Sequence, residues 1–292
     1  MPRIAGKPNS PRHKLTHGKH GGWMKDRPKV GKDYVLSQKL GDIPRGAIEN
    51  PSLNPALFPK IRNQGAQGSC GGFQGRSAMV YKFYEKHGDK VAGKWGEKWD
   101  LSPGGIYFRT REIHKTVYED SGVEIRAVWD AMRKYGAPTE RDAPYRASTL
   151  ITKLSPAAVT SGKWHQSDPK TYRCDDPRDG GSREKVVDRM LQALAAGLPI
   201  NSGFSCPKQW GNFDDTGVVP LPDASGFDGG HALTHFWADT AARIFWGPNS
   251  WGNDNGGPAP AGARHDERGY LGLPFQYYID GNADDAWAVD IE

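Results

Sequence analysis

Apolar side chains recur at helical spacing in three stretches of the first two thirds of the chain. The first covers residues 71–87, and Gly88 follows it as a candidate left-handed cap. The second stops near Gly136; the third begins at Ser182 and stops at Gly197. Each pattern predicts a helix with one buried face. The apolar positions are Phe73, Val80, Phe83 and Tyr84 in the first stretch, Ile125, Val128, Trp129 and Met132 in the second, and Val186, Val187, Met190, Leu191 and Leu194 in the third.

The last third of the chain changes to short apolar runs separated by turn residues. Residues 198–204, 233–237 and 243–246 predict strands, with a hairpin connection at 239–242. Pro248 has no backbone N–H to donate, so it is expected to end the last of these strands. Helices followed by strands favour an α+β fold with two lobes and a cleft between them.

Composition narrows the class of protein. A chain of 292 residues with 36% hydrophobic and 25% charged residues is typical of a globular protein of one large or two closely packed domains. No run approaches the ~18 apolar residues of a membrane-spanning helix, so a membrane is not an expected partner. The N-terminus has no apolar core that would make it a secretory signal. Three cysteines form no paired zinc spacing and no disulfide framework, which favours a cytoplasmic location.

Charge is distributed unevenly along the chain. Nine of the 39 basic residues and one of the 34 acidic residues fall in 1–32, so the remainder carries 30 basic against 33 acidic residues. The body therefore offers no case for nucleic-acid binding, and only this basic leader could contact nucleic acid or an acidic partner. Residues 1–32 lack periodicity and are predicted to be disordered. Three histidines in the leader, at positions 13, 17 and 20, lie among glycines that disfavour a metal-binding helix.

A glycine-rich loop from Gln64 leads to Cys70 at the predicted start of the first helix. The positive end of the helix dipole and unpaired backbone N–H groups would lower the pKa of a thiol there, and the thiolate is the nucleophile. The alternative is a small buried thiol that packs a helix end. Of the other cysteines, Cys174 is expected to be an exposed thiol and Cys206 to be structural.

Two residues late in the chain could activate this thiol. His231 follows a glycine pair, and Asn249 follows Pro248. An imidazole could take the thiol proton and return it to a leaving amine, while the asparagine amide holds the ring in the useful tautomer. Gln64 could bind a developing oxyanion together with the backbone N–H of Cys70. His235, four residues after His231 on the same strand face, is a rival base.

Residues 64–73, His231 and the motif at 249–252 together resemble the papain-like cysteine proteases, and bacterial and phage members without disulfides look closest. Residues 101–103 and 269–274 extend the resemblance. It implies a papain-like domain over 61–292, with a helical lobe mainly at 61–150 and an antiparallel β-barrel-like lobe mainly at 198–292. The active-site cleft would lie between the two lobes.

The resemblance implies hydrolysis of peptide bonds through a thioester on Cys70. Catalysis would use His231, Asn249 and Gln64 in the roles above, act on a peptide or protein substrate, and need no metal or organic cofactor. Oligomeric state stays open. Backbone groups of Ser121 and Gly122, together with Gly230, would bind an extended peptide. The spacing of Ser121 and Glu124 equally fits a plain capping box. The N-terminal region is too short to resemble the long helical prosegment of the family, and residues 33–60 are expected to form an extended N-terminal arm that either crosses the cleft or serves as a structural belt.

Departures from the family pattern keep other functions open. Gly71 stands where the family usually has an aromatic residue, which leaves the junction between loop and helix loosely specified and puts catalytic strength in doubt. A catalytically weak or inactive scaffold that binds peptides is one alternative. An acyl transferase that delivers the thioester to an amine is another, since the same triad serves both reactions.

Overall fold

The computed structural model describes residues 22–41, 48–88, 99–146, 153–164, 168–176, 181–209, 215–265 and 267–291. The three leader histidines lie outside these residues. The helices are α1 (Leu36–Leu40), α2 (Cys70–His87), α3 (Pro103–His114), α4 (Ile125–Tyr135), α5 (Pro156–Trp164), α6 (Arg183–Ala195) and α7 (Gln276–Ile279). The strands are β1 (Pro169–Arg173), β2 (Ile200–Pro207), β3 (Phe227–His235), β4 (Trp237–Asp239), β5 (Ile244–Pro248), β6 (Tyr270–Pro274) and β7 (Ala283–Ile291). Among these helices, none combines the length and the apolarity needed to cross a membrane.

Helix α2 lies between the two lobes. It begins at Cys70 and ends where Gly88 turns the chain with a φ of 50°. Nearly its whole length is buried, because Val80 and Phe83 join the core of the helical lobe while Tyr81 joins the core of the strand-rich lobe. The structure covers both sides.

The helical lobe packs α2, α3 and α4 around one apolar cluster. Helix α4 starts at Ile125, and its N-cap residue Glu124 makes no side-chain capping bond. The predicted capping box from Ser121 is therefore wrong, because the Ser121 hydroxyl bonds to Thr116 and to the carbonyl of Gly122 instead.

The strands form two antiparallel sheets, with the orders β1-β7-β2-β3 and β4-β5-β6. The α+β prediction is confirmed. The β lobe is less regular than predicted, because the strands of the described residues do not close into one barrel. Helix α6 packs on this lobe, and Cys174 is buried in its core, so the expectation of an exposed thiol was wrong. Pro248 is the last residue of β5, as predicted.

The long final strand β7 was not predicted. Its sequence carries adjacent acidic residues, Asp284 and Asp285, which mask the apolar pattern of a strand buried on both faces. Both carboxylates face basic side chains, since Arg183 lies 3.4 Å from Asp284 and Arg173 lies 3.4 Å from Asp285. Ion pairing inside the fold thus allows charged residues in a central strand.

Residues 22–41, which we call the arm, pack along the body as extended chain followed by α1. This differs from the expectation of disorder through residue 32. Asp26 and Asp33 of the arm both pair with Arg126 of α4, and Asp26 lies 3.4 Å from the buried Arg173 of β1. Composition alone does not reveal these long-range ion pairs.

Candidate active site

His231 and Asn249 meet on the strand-rich lobe. His231 lies on β3, and Asn249 directly follows β5, whose last residue, Pro248, pairs with Tyr270 of β6. The imidazole Nε2 lies 2.9 Å from the amide Oδ1 of Asn249. The ring of Trp251 lies 4.3 Å from the imidazole ring, centroid to centroid, and covers this pair. This arrangement leaves Nδ1 as the ring nitrogen that would exchange a proton with a thiol.

Cys70 is the first residue of α2, and its sulfur is in contact with β3. The sulfur accepts hydrogen bonds from the backbone N–H groups of Ala232 and Gly71. Ala232 is the residue directly after His231, so the packing of α2 on β3 places the sulfur beside the backbone that carries the His231–Asn249 pair. These side chains lie 161 and 18 residues apart along the chain.

The thiol does not have the lowered pKa expected of a helix start. Burial raises the pKa of Cys70 to about 12, although the N–H groups of Ala232 and Gly71 act in the opposite direction. The sulfur is shielded because Gly22 of the arm lies against it, so close that a Cβ on Gly22 would come within 2.6 Å of Sγ. Desolvation by burial, to which Gly22 of the arm contributes, therefore outweighs the helix terminus.

Gln64 is held by both sides of the site. Its Nε2 donates to the carbonyl of Gln67 at 2.6 Å, and its Oε1 accepts from the hydroxyl of Ser250 at 2.5 Å. The backbone N–H of Gln64 also donates to the carbonyl of Ser250 at 2.7 Å. A carboxamide carries two N–H bonds, so the one not used by Gln67 is the donor that an oxyanion would need.

Asp120 orders the loop before Cys70 and was missed by sequence reasoning. Both of its carboxylate oxygens accept from the backbone N–H of Gly68, at 3.0 and 2.9 Å. The hydroxyl of Tyr107 donates to the same carboxylate at 2.7 Å. No local motif marks an aspartate 52 residues away as a loop anchor.

The glycines after Cys70 fit a tightly packed junction. A Cβ on Gly71 would come within 2.5 Å of Val123, and a Cβ on Gly72 would come within 2.3 Å of the carbonyl of Pro103. The side chain of Val123 thus occupies the space beside Gly71. The junction is closely specified, contrary to the expectation from the missing aromatic residue.

The edge of the site next to α4 binds the arm as an extended peptide. The N–H of Val123 donates to the carbonyl of Gly22, and the N–H of Met24 donates to the carbonyl of Val123, both at 3.0 Å. This is a parallel β-bridge between Trp23 and Val123. Gly122 uses its own N–H on the hydroxyl of Tyr107 at 3.1 Å. Peptide binding by Ser121 and Gly122 stays a prediction, while the pairing seen here lies one residue further on.

Gly230, the third predicted substrate-binding residue, lies beneath the indole of Trp23. A Cβ on Gly230 would come within 2.8 Å of Cε3 of that ring. The indole Nε1 lies 3.4 Å from the carboxylate of Asp285, which is fully buried. Burial raises the pKa of Asp285 to about 7, with Arg173 acting in the opposite direction.

His235, the rival base, is placed in the core. Its Nε2 lies 2.7 Å from the hydroxyl of Ser202 and 2.8 Å from that of Tyr278. Burial lowers its pKa to about 3, so the ring is neutral at physiological pH. These contacts give His235 a structural role. Across the described parts of the chain, no group of three or more His, Cys, Asp or Glu side chains is arranged to hold a metal ion.

Comparison with known proteins shows the fold. No protein-family model matches the chain. Over 188 residues it is 28% identical to an uncharacterized peptidase C1-like protein of Acanthamoeba polyphaga mimivirus, a match that covers 63% of this chain and 57% of that protein. The chain thus matches little more than half the length of this relative.

Solved structures cover more of the chain. Xylellain, a cysteine protease from Xylella fastidiosa, aligns with a TM-score of 0.71 at 24% identity over 93% of this chain and 96% of its own. The digestive procathepsin L2 proteinase from the larval midgut of Tenebrio molitor aligns with a TM-score of 0.62 at 15% identity, over 97% and 80%. The chain has the papain-like fold, and the predicted resemblance is confirmed.

Proposed function

We propose that this protein is a cysteine peptidase with Cys70 as nucleophile. The observation that carries the proposal is the bond from His231 Nε2 to Asn249 Oδ1, formed beside a sulfur that accepts a bond from the next backbone N–H along β3. This geometry suits nucleophilic catalysis by a thiol, because the base is oriented by a third group. The similarity to xylellain and to the peptidase C1-like mimivirus protein supports it.

The reaction proceeds in two stages once a peptide has replaced the arm. Nδ1 of His231 takes the proton from Cys70, and the sulfur attacks the peptide carbonyl to form a C–S bond. The backbone N–H of Cys70 and the Gln64 amide donate to the oxyanion. The C–N bond then breaks as His231 returns the proton to the leaving amine. Water, deprotonated by the same imidazole, hydrolyses the thioester and regenerates the thiol.

The arm keeps the enzyme latent in this proposal. Gly22 lies on the sulfur and the backbone on either side of Trp23 occupies the pairing groups of Val123, so a substrate cannot reach the nucleophile. Arg126 anchors the arm through Asp26 and Asp33. Release of the arm would expose the thiol and lower its pKa toward the ordinary range.

Mass spectrometry of peptide-library digests tests the proposal. We expect Arg126→Ala, which loosens the arm, to cleave peptides faster than the unaltered chain. Arg109→Ala is the matched control, because Arg109 pairs with Glu112 on α3 and leaves the arm anchors in place. Adding Cys70→Ala to Arg126→Ala should abolish every product. Equal cleavage with and without the Cys70 thiol would refute a cysteine peptidase.

A further inference from the structure

The indole of Trp23 lies in a slot that two glycines create. Gly203 of β2 and Gly230 of β3 form the wall of the slot, which runs flat along the ring. A Cβ on Gly203 would come within 1.9 Å of ring atom Cε2, and one on Gly230 within 2.8 Å of Cε3. The absence of side chains at Gly203 and Gly230 therefore leaves room for a large planar side chain.

A buried carboxylate closes the end of the slot. Oδ2 of Asp285 lies 3.4 Å from the indole Nε1 of Trp23, and Oδ1 accepts from the indole of Trp287 at 2.7 Å. Asp285 adopts a φ of 58°, a conformation uncommon for residues other than glycine, which surrounding contacts must maintain. Such a conformation is typical of functional positions, which supports a binding role for this carboxylate.

The slot suits a neutral N–H donor better than a cation. Arg173, which is fully buried, lies 3.4 Å from Asp285 and also donates to Asp175 from Nε at 3.1 Å. A lysine would add a second cation beside Arg173 and would not fill a flat slot. An indole supplies both the planar ring and a single N–H donor.

The slot binds the arm residue that directly follows the one lying over the nucleophile. Gly22 covers the sulfur of Cys70, and Trp23 is the next residue, with backbone groups on either side bound to Val123. A peptide that paired with Val123 in place of the arm would present a side chain to the same slot. In the arm, Trp23 occupies the position that this side chain of a bound peptide would take.

We infer that this slot is the specificity subsite of the enzyme, and that it selects a tryptophan side chain next to the residue that lies over Cys70. The inference rests on the proposed peptidase function for its catalytic consequence. The binding preference itself follows from Gly203, Gly230 and Asp285 and can be measured without turnover.

The binding experiment uses the full chain carrying Trp23→Ala, which empties the slot. N-acetyl-tryptophan amide should bind saturably, and its 1-methyl derivative, which lacks the N–H, should bind about tenfold more weakly because the carboxylate loses its donor. Adding Gly203→Ala should abolish binding by filling the slot. Equal affinity for the two amides, or no saturable binding, would overturn the inference. If Trp23→Ala does not fold, Trp23→Phe is the second variant. In that variant, tryptophan amide should compete with the arm for the slot. The competition is measured as faster alkylation of Cys70.

The hydrolysis experiment separates the two proposals. With Trp23→Ala combined with Arg126→Ala, paired peptides that differ only by tryptophan or phenylalanine should show a kcat/KM ratio of about tenfold or more in favour of tryptophan, with the cut within two residues of it. Gly203→Ala should lower that ratio. Cleavage without such a preference would overturn the specificity and leave the peptidase standing. Saturable binding of tryptophan amide without any cleavage would support the specificity of the slot and overturn the peptidase function.

Discussion

Nε2 of His231 lies 2.9 Å from Oδ1 of Asn249, under the ring of Trp251. A carboxamide oxygen accepts, so this bond places the imidazole proton on Nε2 and leaves the lone pair on Nδ1. That tautomer is the one that can accept a proton from a thiol. The bond also holds the ring at a fixed angle beside the start of α2.

Removing this acceptor should slow the chemical step. In the Arg126→Ala background, we expect Asn249→Ala to lower kcat by about 10²-fold, since alignment of a general base contributes on that order. Asn249→Asp keeps an acceptor oxygen and should retain more activity. Asn253→Ala is the matched control, because that side chain pairs with Glu267 outside the site. A kcat unchanged by Asn249→Ala would argue against the orienting role.

Gln64 permits a sharper substitution than alanine. Gln64→Glu keeps the oxygen that accepts from Ser250 but loses the N–H donors, one of which bonds to Gln67. In the Arg126→Ala background, we expect kcat to fall by about 10²–10³-fold, the usual cost of one oxyanion donor, while alkylation of Cys70 by iodoacetamide continues. Steady-state kinetics and mass spectrometry of the alkylated chain measure the two effects. Loss of alkylation together with turnover would mean that Gln64 organises the thiol instead.

The parts of the site that sequence could predict are those held by short-range motifs. Cys70 follows a glycine-rich loop at the start of an apolar-periodic run, and His231 and Asn249 each stand beside a glycine or proline at a strand. The order of helices and strands predicted the α+β class for the same reason, since periodicity is a local property.

The missed features depend on residues distant in sequence. Trp23 bonds to Asp285, which lies 262 positions away, in a strand whose acidic pair conceals its burial. Gly22, which lies against the sulfur of Cys70, belongs to a leader whose composition predicts disorder. Composition and spacing report neither contact, because both form only when the arm docks on the folded body.

Contact between the arm and Val123 should control access to the thiol. Met24→Pro removes the N–H that donates to Val123, whereas Met24→Ala keeps it. Burial raises the pKa of Cys70 to about 12, and Gly22 of the arm lies against the sulfur, so opening the arm should lower the pKa and increase the thiolate fraction. We expect Met24→Pro to be alkylated at Cys70 at least ~10-fold faster at pH 8 than Met24→Ala.

Peptide mapping after timed exposure to iodoacetamide measures these rates. Cys174 is fully buried in the core of the strand-rich lobe and serves as an internal reference that should stay unmodified. Equal Cys70 rates in the two variants would show that the arm does not gate the thiol. Modification of Cys174 at the same rate as Cys70 would show general unfolding.

His235 should make the fold sensitive to acid. Burial lowers its pKa to about 3, whereas the unfolded chain has an ordinary value near 6.5. The unfolded state therefore gains a proton first as the pH falls, and the contribution of neutral His235, fully present above 6.5, is lost between about 6.5 and 3. Each pH unit in that window costs up to about 1.4 kcal/mol of unfolding free energy.

His235→Gln removes this titration, and all other groups cancel when its stability is subtracted from that of the unaltered chain. Urea denaturation at pH 7.5 and pH 5 should show the unaltered chain losing about 2 kcal/mol relative to the variant; a difference independent of pH would mean that His235 is not buried in its neutral form.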